Sequence, residues 1–398
     1  MTLPLLQDLD VKSKRVLVRV DFNVPLDKQG QITDDTKIRG ALPTIRWLID
    51  HGAKIILLSH LGRPKQKNDL VLSLRICTKR LSELLGCPVL FGGDVSDPQA
   101  LEMSHSLQSG EILLMENLRF HKGEEDPASD PSFVRTLAQL GDLYVNDAFG
   151  TAHRVHASTA AIAEFFPKRK AAGFLLQKEI SQLDALLKSP KRPFFAIIGG
   201  AKVSSKLGVL KSLTEKVDGF FIGGGMAYTF LKSQGASTGD SLVEPDLEET
   251  AKKFLETCRK RAIPVWLPED FIAANRLADD AEKKIVSVKQ GIPPGWQGLD
   301  IGPVTLASWQ SALTEAGTVF WNGPVGVFEL PSFAEGTKGI ATTLALLKAI
   351  TIVGGGDSVT AINQFGLGEK YTHVSTGGGA SLEFLEFGML PGIEALKK

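Results

Sequence analysis

The chain contains 398 residues, with 45 Lys+Arg and 45 Asp+Glu, so its formal net charge is zero. This balance excludes a protein that holds nucleic acid or an anionic membrane through a large basic field. No run approaches the ~20 apolar residues of a membrane span, and the N-terminal segment lacks the pattern of a secretory signal. The three cysteines form no CxxC pair. These features predict a cytoplasmic protein of two or three domains.

The first half of the chain alternates apolar, strand-like runs with helical patterns. Strands are predicted at Val16–Val20, Lys54–Ser59, Val89–Phe91, Ile112–Met115 and Leu143–Val145. Helices are predicted around Leu42–Ile49 and Leu74–Leu85. Because the strand-like runs show no period-two alternation, they fit strands that are buried on both faces of a parallel sheet.

The second half repeats the same order of elements. Its predicted strands are Phe194–Ile198, Gly219–Ile222, Val265–Leu267, Thr318–Trp321, Thr351–Val353 and His373–Ser375. Helical stretches separate most of them. This βαβ order predicts an α/β fold with two Rossmann-like, doubly wound parallel-sheet domains.

A single helix is predicted to join the two domains. Its apolar residues, spaced 4-3-4 along one face, are Leu176, Ile180, Leu183 and Leu187. The segment lacks the Gly/Ser/Pro-rich composition of a flexible linker. We therefore predict domains at 1–172 and 191–389, an interdomain helix at 173–190, and a cleft between the domains.

Glycine is distributed unevenly, with 12 residues in 1–186 and 28 in 187–398. In the second half, glycine-rich loops follow five predicted strands, at Gly199–Gly200, Gly223–Gly225, Gly323–Gly326, Gly354–Gly356 and Gly377–Gly379. Glycine lets backbone N–H groups approach an anion, and a following helix adds its positive N-terminal dipole. Five such loops predict a nucleotide or phosphate site in this half.

The common nucleotide-binding motifs are missing, because no lysine directly follows a glycine and no GxGxxG is present. Asp357, at the start of a predicted helix, is either a Mg²⁺ ligand or an N-cap. Lys202 and Lys206 are expected on one face of the first turn of the next helix. They indicate either an anionic partner or a solvated face.

Charged side chains take the place of glycine at the strand ends of the first half. Predicted strands lead into Asp21–Pro25, His60–Pro64, Glu116–His121 and Asn146–Arg154. The carboxyl ends of parallel strands gather at one sheet edge, and arginine forks bind phosphate or carboxylate in a bidentate manner. The sequence therefore predicts a pocket for a small, multiply anionic substrate. No pattern of nucleophile and base supports a covalent mechanism.

These motifs, taken in order, resemble those of the phosphoglycerate kinase family. The N-terminal ones are 19-RVDFNVP-25, 59-SHLGRP-64, 116-ENLRF-120 and 146-NDAFGTAHR-154. The C-terminal ones are 199-GGAKV-203, 223-GGGMA-227, 321-WNGPVGVFE-329, 354-GGGD-357 and 375-STGGGAS-381. The resemblance spans nearly the whole chain.

The resemblance implies reversible transfer of a phosphoryl group from 1,3-bisphosphoglycerate to Mg-ADP, giving 3-phosphoglycerate and Mg-ATP, in glycolysis and gluconeogenesis. It implies small-molecule substrates, Mg²⁺ bound with ADP or ATP, in-line transfer after hinge closure, and the monomer that is usual in the family. The N-terminal domain would bind the glycerate and the C-terminal domain the nucleotide. Residues 390–398 would pack back on the N-terminal domain.

The resemblance also implies roles for individual residues. The glycerate-binding positions are Asp21, Asn23, His60, Arg63, Arg119 and Arg154. The nucleotide-binding positions are Lys206, Gly223, Gly224, Asn322, Pro324, Glu329, Gly355, Gly356, Asp357 and Ser358, with Asp357 as the metal ligand. The catalytic positions, around the transferred phosphoryl group, are Lys202, Lys37 or Arg39, Gly378 and Gly379.

The chain departs from the family pattern at three positions. Lys37 stands where an arginine is usual, Arg39 lies two residues on, and either could make the contact to the reacting groups. A lysine keeps the charge but loses the bidentate fork. Ser205 and Ser358 replace residues that are often Asp and Thr.

Two other functions remain open from the sequence. One is a phosphotransferase of the same architecture that acts on another carboxylate or on a sugar phosphate. The other is a two-lobed binding protein that closes on one anion, although the glycine-rich strand ends and the lack of an export signal disfavour it.

Overall fold

The computed structural model describes residues 3–65 and 69–397. The chain divides into two compact units. Unit 1 comprises Met1–Ser181 and Met389–Lys398, and unit 2 comprises Gln182–Gly388. Each unit contains a parallel six-stranded sheet with helices between its strands. The predicted fold class, two α/β units built on parallel sheets, is therefore confirmed.

The sheet of unit 1 has the strand order β3-β4-β2-β1-β5-β6, and all its pairs are parallel. Its strands are β1 (Arg15–Arg19), β2 (Lys54–Leu58), β3 (Val89–Phe91), β4 (Ile112–Leu114), β5 (Leu143–Asn146) and β6 (Lys170–Ala172). The four central strands are nearly fully buried, as their continuous apolar runs predict. They are also the strands that lead into the charged motifs.

The helices of unit 1 lie between its strands and after the last one, and the longer ones bury apolar residues. They are α1 (Thr36–Asp50), α2 (Arg75–Leu85), α3 (Pro98–Ser106), α4 (Lys122–Glu125), α5 (Pro131–Gln139), the first part of α6 (Phe174–Lys188), and α14 (Pro391–Lys397). One core cluster joins Ile38, Ile45 and Leu48 of α1 to Val16, Val18 and Ile55 of the strands.

The main sheet of unit 2 has the order β15-β14-β13-β7-β8-β9 and is also parallel. Its strands are β7 (Phe194–Ile198), β8 (Gly219–Ile222), β9 (Val265–Trp266), β13 (Thr318–Asn322), β14 (Ile350–Gly354) and β15 (His373–Val374). Its helices are α7 (Leu207–Leu213), α8 (Met226–Ser233), α9 (Glu248–Lys260), α10 (Pro303–Leu313), α11 (Glu335–Leu346), α12 (Gly356–Gln364) and α13 (Gly379–Phe387).

Unit 2 also contains a second, antiparallel sheet that the sequence analysis did not predict. Its strands, in the order β11-β10-β12, are β10 (Asp270–Ala274), β11 (Lys283–Ser287) and β12 (Gln297–Ile301). The edge strand β11 is largely exposed and carries two lysines, so it lacks the apolar run by which the other strands were found. The short strand β6 was missed for a similar reason, since it begins with a buried lysine.

The helix predicted over 173–190 is observed as α6, and the boundary between the units falls within it, after Ser181. Two side chains of unit 1 hold its first turn. The Oγ1 of Thr44 accepts the N–H of Phe174 at 2.8 Å, and the Oδ1 of Asp147 accepts that of Leu176 at 3.1 Å. These bonds satisfy donors that have no partner inside the helix.

The C-terminal helix α14 packs within unit 1. Its Gly392 N–H donates to the carbonyl oxygen of Ala152 at 2.8 Å, and Ile393 and Leu396 are buried. Within the described part of the chain, no helix has the length and apolar character needed to cross a bilayer.

Candidate substrate-binding sites

The first candidate site lies at the carboxyl ends of β1 and β2 in unit 1. Asp21 is buried there, and its Oδ2 accepts a 2.9 Å hydrogen bond from the Nζ of Lys37 on α1. Burial alone would raise the pKa of Asp21, but the charge and hydrogen bond of Lys37, together with the charge of Arg19, outweigh it and lower the pKa to about 2. Asp21 is therefore a carboxylate at physiological pH.

Backbone and amide contacts join the two strand ends. The Oδ1 of Asn23 accepts the N–H of Gly62 at 2.8 Å, and the N–H of Asn23 donates to Oδ1 of Asp21 at 3.1 Å. His60 lies next to these residues and is also buried. Three predicted glycerate-binding residues, Asp21, Asn23 and His60, are thus brought together.

Arg119 adds a cation to this cluster. Its Nη1 donates to the carbonyl oxygen of Gly62 at 2.9 Å, and its Nε lies 3.1 Å from Oε1 of Glu125. Burial lowers the pKa of Arg119, although Glu125 acts in the opposite direction. Arg63 and Arg154 are exposed at the ends of their own motifs, so both guanidinium groups are accessible to an anionic ligand.

The structure separates the two candidates for the usual arginine position. Lys37 pairs with Asp21 at the site, whereas the Nε of Arg39 donates to Oδ1 of Asp35 at 2.8 Å. Arg80 contacts the other oxygen of Asp35 at 2.7 Å. Arg39 is therefore engaged in a partly exposed ion-pair cluster, and Lys37 is the cation next to the strand ends.

Sequence reasoning missed a buried ionic network behind His60. Arg19, Glu124 and Ser158 are all fully or almost fully buried. The Nη2 of Arg19 lies 3.1 Å from Nδ1 of His60, its Nε donates to Oγ of Ser158 at 2.7 Å, and Glu124 is 4.0 Å away. The one signal in the sequence was the position of Arg19 inside an apolar strand. Nothing distinguished Glu124 and Ser158 from ordinary surface residues.

The second candidate site is a cavity of about 340 Å³ in unit 2. Four predicted nucleotide-binding residues line it, namely Gly224, Pro324, Glu329 and Asp357. Leu242, Leu277 and Leu299 provide apolar walls that the sequence analysis did not identify. Glu329 and Asp357 place carboxylates on a cavity whose walls are otherwise mostly apolar.

The glycine loops around this cavity are held against one another by backbone hydrogen bonds. The N–H of Gly200 donates to the carbonyl oxygen of Pro324 at 2.9 Å, and that of Gly224 donates to Val325 at 3.2 Å. Gly224 has a φ of +65°, and a Cβ there would lie 2.7 Å from the backbone of Gly200. Only glycine fits this close approach.

Two of the predicted nucleotide-binding residues face the interior of the unit. The Oγ of Ser358 is fully buried and accepts the N–H of Gly323 at 2.6 Å. A Cβ on Gly223 would lie 2.8 Å from the side chain of Val325. In this structure both residues hold the loops in place.

The N-termini of α12 and α13 offer space for an anion. No heavy atom lies within 4 Å of the position that a Cβ would take on Gly356, Gly378 or Gly379. Backbone N–H groups at the start of these nine-residue helices carry the positive end of the helix dipole. Next to them, the Nδ2 of Asn322 is buried without a hydrogen-bond partner, 2.8 Å from the Cβ position of Gly355.

The two lysines of this unit differ from the prediction. α7 begins at Leu207, so Lys202 and Lys206 precede the helix, and their expected position on its first turn is wrong. A turn at 203–206 delays the helix. Lys206 donates from Nζ to Oδ1 of Asn322, and burial lowers its pKa while Asp357 partly compensates. Lys202 is exposed.

Asp357 lies in the first turn of α12, with an exposed side chain. The N-cap of this helix is Gly355, so the alternative reading of Asp357 as the N-cap is wrong. No cluster of three or more metal-ligating side chains occurs in residues 3–65 and 69–397. One carboxylate next to a phosphate-sized space fits Mg²⁺ that arrives with a nucleotide, since Mg²⁺ commonly binds through one or two carboxylates and the substrate phosphates.

Cations and a buried aspartate at the strand ends of unit 1, and a glycine-lined cavity in unit 2, fit a two-substrate phosphotransferase of the α/β class. The comparisons with known proteins agree. The model of the family described as phosphoglycerate kinase matches residues 6–387. The chain belongs to the phosphoglycerate kinase family, whose members are phosphotransferases with a carboxyl group as acceptor. The family, the class of enzyme and the role in glycolysis predicted from the sequence are confirmed.

Curated relatives are similar over almost their entire length. The phosphoglycerate kinase of Roseiflexus castenholzii is 53% identical over 395 residues, covering 98% of both chains. That of Moorella thermoacetica is 52% identical over 391 residues, again with 98% of both chains covered.

Solved structures agree with the fold. The phosphoglycerate kinase of Coxiella burnetii is 38% identical and superposes with a TM-score of 0.88, covering 100% of this chain and 99% of the other. The enzyme of Pyrococcus horikoshii is 32% identical, with a TM-score of 0.86 and coverage of 99% and 98%.

Proposed function

We propose that unit 1 binds 3-phosphoglycerate or 1,3-bisphosphoglycerate, that unit 2 binds Mg-ADP or Mg-ATP, and that the chain transfers the phosphoryl group reversibly between them. The observation that carries this proposal is that two chemically different sets of groups suited to anions lie at the carboxyl ends of two parallel sheets, in a chain that matches the family over residues 6–387.

The glycerate site uses side-chain charge. Arg63, Arg119 and Arg154 would bind the phosphate and carboxylate oxygens, because arginine forks match both groups. Asn23 and His60 add neutral hydrogen-bonding groups. Asp21 stays ionised and holds Lys37 at the strand ends, where the lysine can face the reacting groups.

The nucleotide site uses backbone and apolar surface. The base would lie against the apolar wall of the cavity, with Glu329 near the ribose. The phosphates would approach the N-termini of α12 and α13 and the buried Nδ2 of Asn322, with Lys206 beside it. Asp357 would hold the Mg²⁺ that accompanies the nucleotide and neutralises charge on its phosphates.

Transfer requires alignment and charge neutralisation, and the acyl phosphate's leaving carboxylate is a weak base that needs no general acid. Lys202, Lys37 and the N–H groups of Gly378 and Gly379 would surround the transferred phosphoryl group. The glycerate-binding residues and the nucleotide-binding residues belong to different units. We therefore expect the reaction to require a movement about α6 that brings the two ligands together and excludes water. Identical scattering profiles for the free and the doubly liganded protein would contradict this movement.

The direct test of the activity mixes the protein with Mg-ATP and 3-phosphoglycerate and measures ADP. We expect ADP formation that depends on both substrates. Glycerol 3-phosphate is the matched control, because it carries the phosphate but lacks the carboxyl acceptor. No ADP from a correctly folded protein, or equal rates with both compounds, would contradict the assignment.

We also propose a cytoplasmic monomer without nucleic-acid partners. The balanced charge and the reduced, unpaired cysteines support it. One relative, from Volvox carteri, is named as chloroplastic, so location is tested separately by fractionation of the source cells. Sedimentation at micromolar concentration tests the monomer, and a dimer would contradict it.

A further inference from the structure

Arg19 ends β1 inside the core of unit 1, and its guanidinium group is fully buried. Its Nε donates to Oγ of Ser158 at 2.7 Å and its Nη1 to the carbonyl oxygen of Val20. Its Nη2 lies 3.1 Å from Nδ1 of His60. Because it is buried behind the strand end, Arg19 contacts no ligand directly, but it contacts a residue of the proposed glycerate site.

Glu124 balances this buried cation. Its Oε1 lies 4.0 Å from Nη2 of Arg19. Ser158 donates to the same carboxylate twice, from Oγ at 2.6 Å and from its backbone N–H at 3.0 Å. Burial raises the pKa of Glu124, and the charge of Arg19 with the bonds from Ser158 opposes that rise. Arg19, Glu124 and Ser158 therefore form one buried network of side chains, which we call the arginine anchor.

The contact between Arg19 and His60 determines the protonation of the imidazole. A guanidinium group has only donors, so Nδ1 of His60 must supply a lone pair and cannot carry a proton. The imidazole is then uncharged, and its single proton lies on Nε2. His60 accordingly presents an N–H donor from Nε2, the nitrogen that the arginine anchor does not occupy.

The surrounding charges favour the same state. Burial lowers the pKa of His60 well below 6.5, and the cations Arg19, Arg119 and Lys37 act in the same direction. Asp21 is the carboxylate that opposes them. The sum of these effects keeps His60 neutral even next to an ionised aspartate.

We infer that Arg19 is a positioning residue which fixes His60 as the neutral Nε2–H tautomer, so that His60 donates a hydrogen bond to the anionic glycerate over the whole working pH range. The part that concerns the glycerate rests on the proposed function. The tautomer itself does not.

The first test needs no variant. Two-bond ¹H–¹⁵N correlation spectra of the full-length protein, labelled at histidine and assigned with His60→Gln, report which ring nitrogen is protonated. We expect the Nε2–H pattern for His60, unchanged between pH 5.5 and 8. A proton on Nδ1, or titration of His60 in this range, would overturn the inference.

The second test is Arg19→Met, assayed for ADP formation and for binding of 3-phosphoglycerate and Mg-ADP. Arg15→Met is the matched control, because Arg15 begins the same strand and pairs with Asp142 at 2.8 Å away from the site. We expect the KM for 3-phosphoglycerate to rise about tenfold in Arg19→Met, the value of one hydrogen bond to a charged group. The affinity for Mg-ADP should not change.

Removal of Arg19 leaves Glu124 without its counter-charge, so Arg19→Met alone can fail to fold. The double variant Arg19→Met/Glu124→Gln removes both charges and tests the same contact. In a folded variant, His60 should begin to populate the Nδ1–H tautomer and its pH profile for glycerate binding should change. An unchanged KM together with an unchanged His60 spectrum would overturn the inference. If the tautomer is as expected but no ADP forms in the wild type, the proposed function fails and the tautomer assignment stands.

Discussion

The two units solve the same problem, the binding of a phosphorylated ligand, with different parts of the polypeptide. Unit 1 presents Arg63, Arg119 and Arg154 after three of its strands, together with a buried aspartate and a buried histidine. Unit 2 presents glycine backbone, two helix N-termini and a cavity of about 340 Å³. Both place these groups at the carboxyl ends of a parallel six-stranded sheet.

The difference teaches which kind of substitution each site tolerates. A side-chain site depends on ion pairs and on the groups that hold them, as Asp21 holds Lys37. A backbone site depends on close approach, as between Gly224 and Gly200. Removal of a charge should therefore weaken the binding of one ligand in unit 1, whereas addition of a methyl group at such a close approach should destabilise the fold of unit 2.

The largest effect is expected for Gly224→Ala. The positive φ costs about 1–2 kcal/mol for any residue with a Cβ, and the methyl group also meets the backbone of Gly200. We expect unfolding of unit 2 at lower denaturant and loss of Mg-ADP binding. Gly356→Ala is the control for folding, because its Cβ has no neighbour within 4 Å. Gly356→Ala should keep the stability of the wild type and weaken only the binding of Mg-ADP. Equal stability of the two variants would contradict the close-approach argument.

The next effect concerns Lys202. If it stabilises the transferred phosphoryl group, Lys202→Ala should lower kcat by about 100-fold and change KM much less. Lys211→Ala, another exposed lysine of unit 2 on α7, should leave both constants unchanged. An effect confined to KM would limit Lys202 to binding the ground state.

A prediction for unit 1 concerns Arg154. Arg154→Ala should weaken the binding of 3-phosphoglycerate and leave the affinity for the nucleotide unchanged. Equal losses for both ligands in binding measurements would remove Arg154 from the glycerate site.

A smaller effect separates Lys37 from Arg39. Lys37→Ala should lower kcat/KM about tenfold, since it removes one cation next to the strand ends. Arg39→Ala should stay within about twofold, because Arg39 belongs to an exposed ion-pair cluster with Asp35. Steady-state kinetics with 3-phosphoglycerate measure both variants, and a larger loss in Arg39→Ala would reverse the assignment.

The last effect concerns stability in acid and not catalysis. The folded pKa of Asp21 is about 2, below its ordinary value of 3.8, so its ionised form stabilises the folded state above pH 3.8. That contribution, about 2 kcal/mol, is lost as the pH falls from about 4 to 2. The difference in unfolding free energy between wild type and Asp21→Asn should narrow over this range. If the difference did not depend on pH, the ionisation of Asp21 would not contribute to the stability of the folded state.

Much of this organisation could be predicted from the sequence, because buried parallel strands are apolar runs and the residues after them lie at one edge. That reasoning found Asp21, His60 and the glycine loops. It could not predict β11, because this exposed strand begins with two lysines and has no apolar run. It could not predict the pairing of Asp21 with Lys37 either, because that ion pair depends on tertiary contact. Glu124 was missed because nothing in the sequence marks its burial, whereas the position of Arg19 inside a predicted buried strand was a signal that was not used.

The central claim is that the two units bind different ligands through different chemistry. Backbone amide spectra of the labelled protein, recorded with 3-phosphoglycerate alone and with Mg-ADP alone, test it directly. We predict that 3-phosphoglycerate shifts amides around 60–63 and 117–119, and that Mg-ADP shifts amides around 356–358 and 378–380. If both ligands shifted amides of the same unit, the division between a side-chain site and a backbone site would be contradicted.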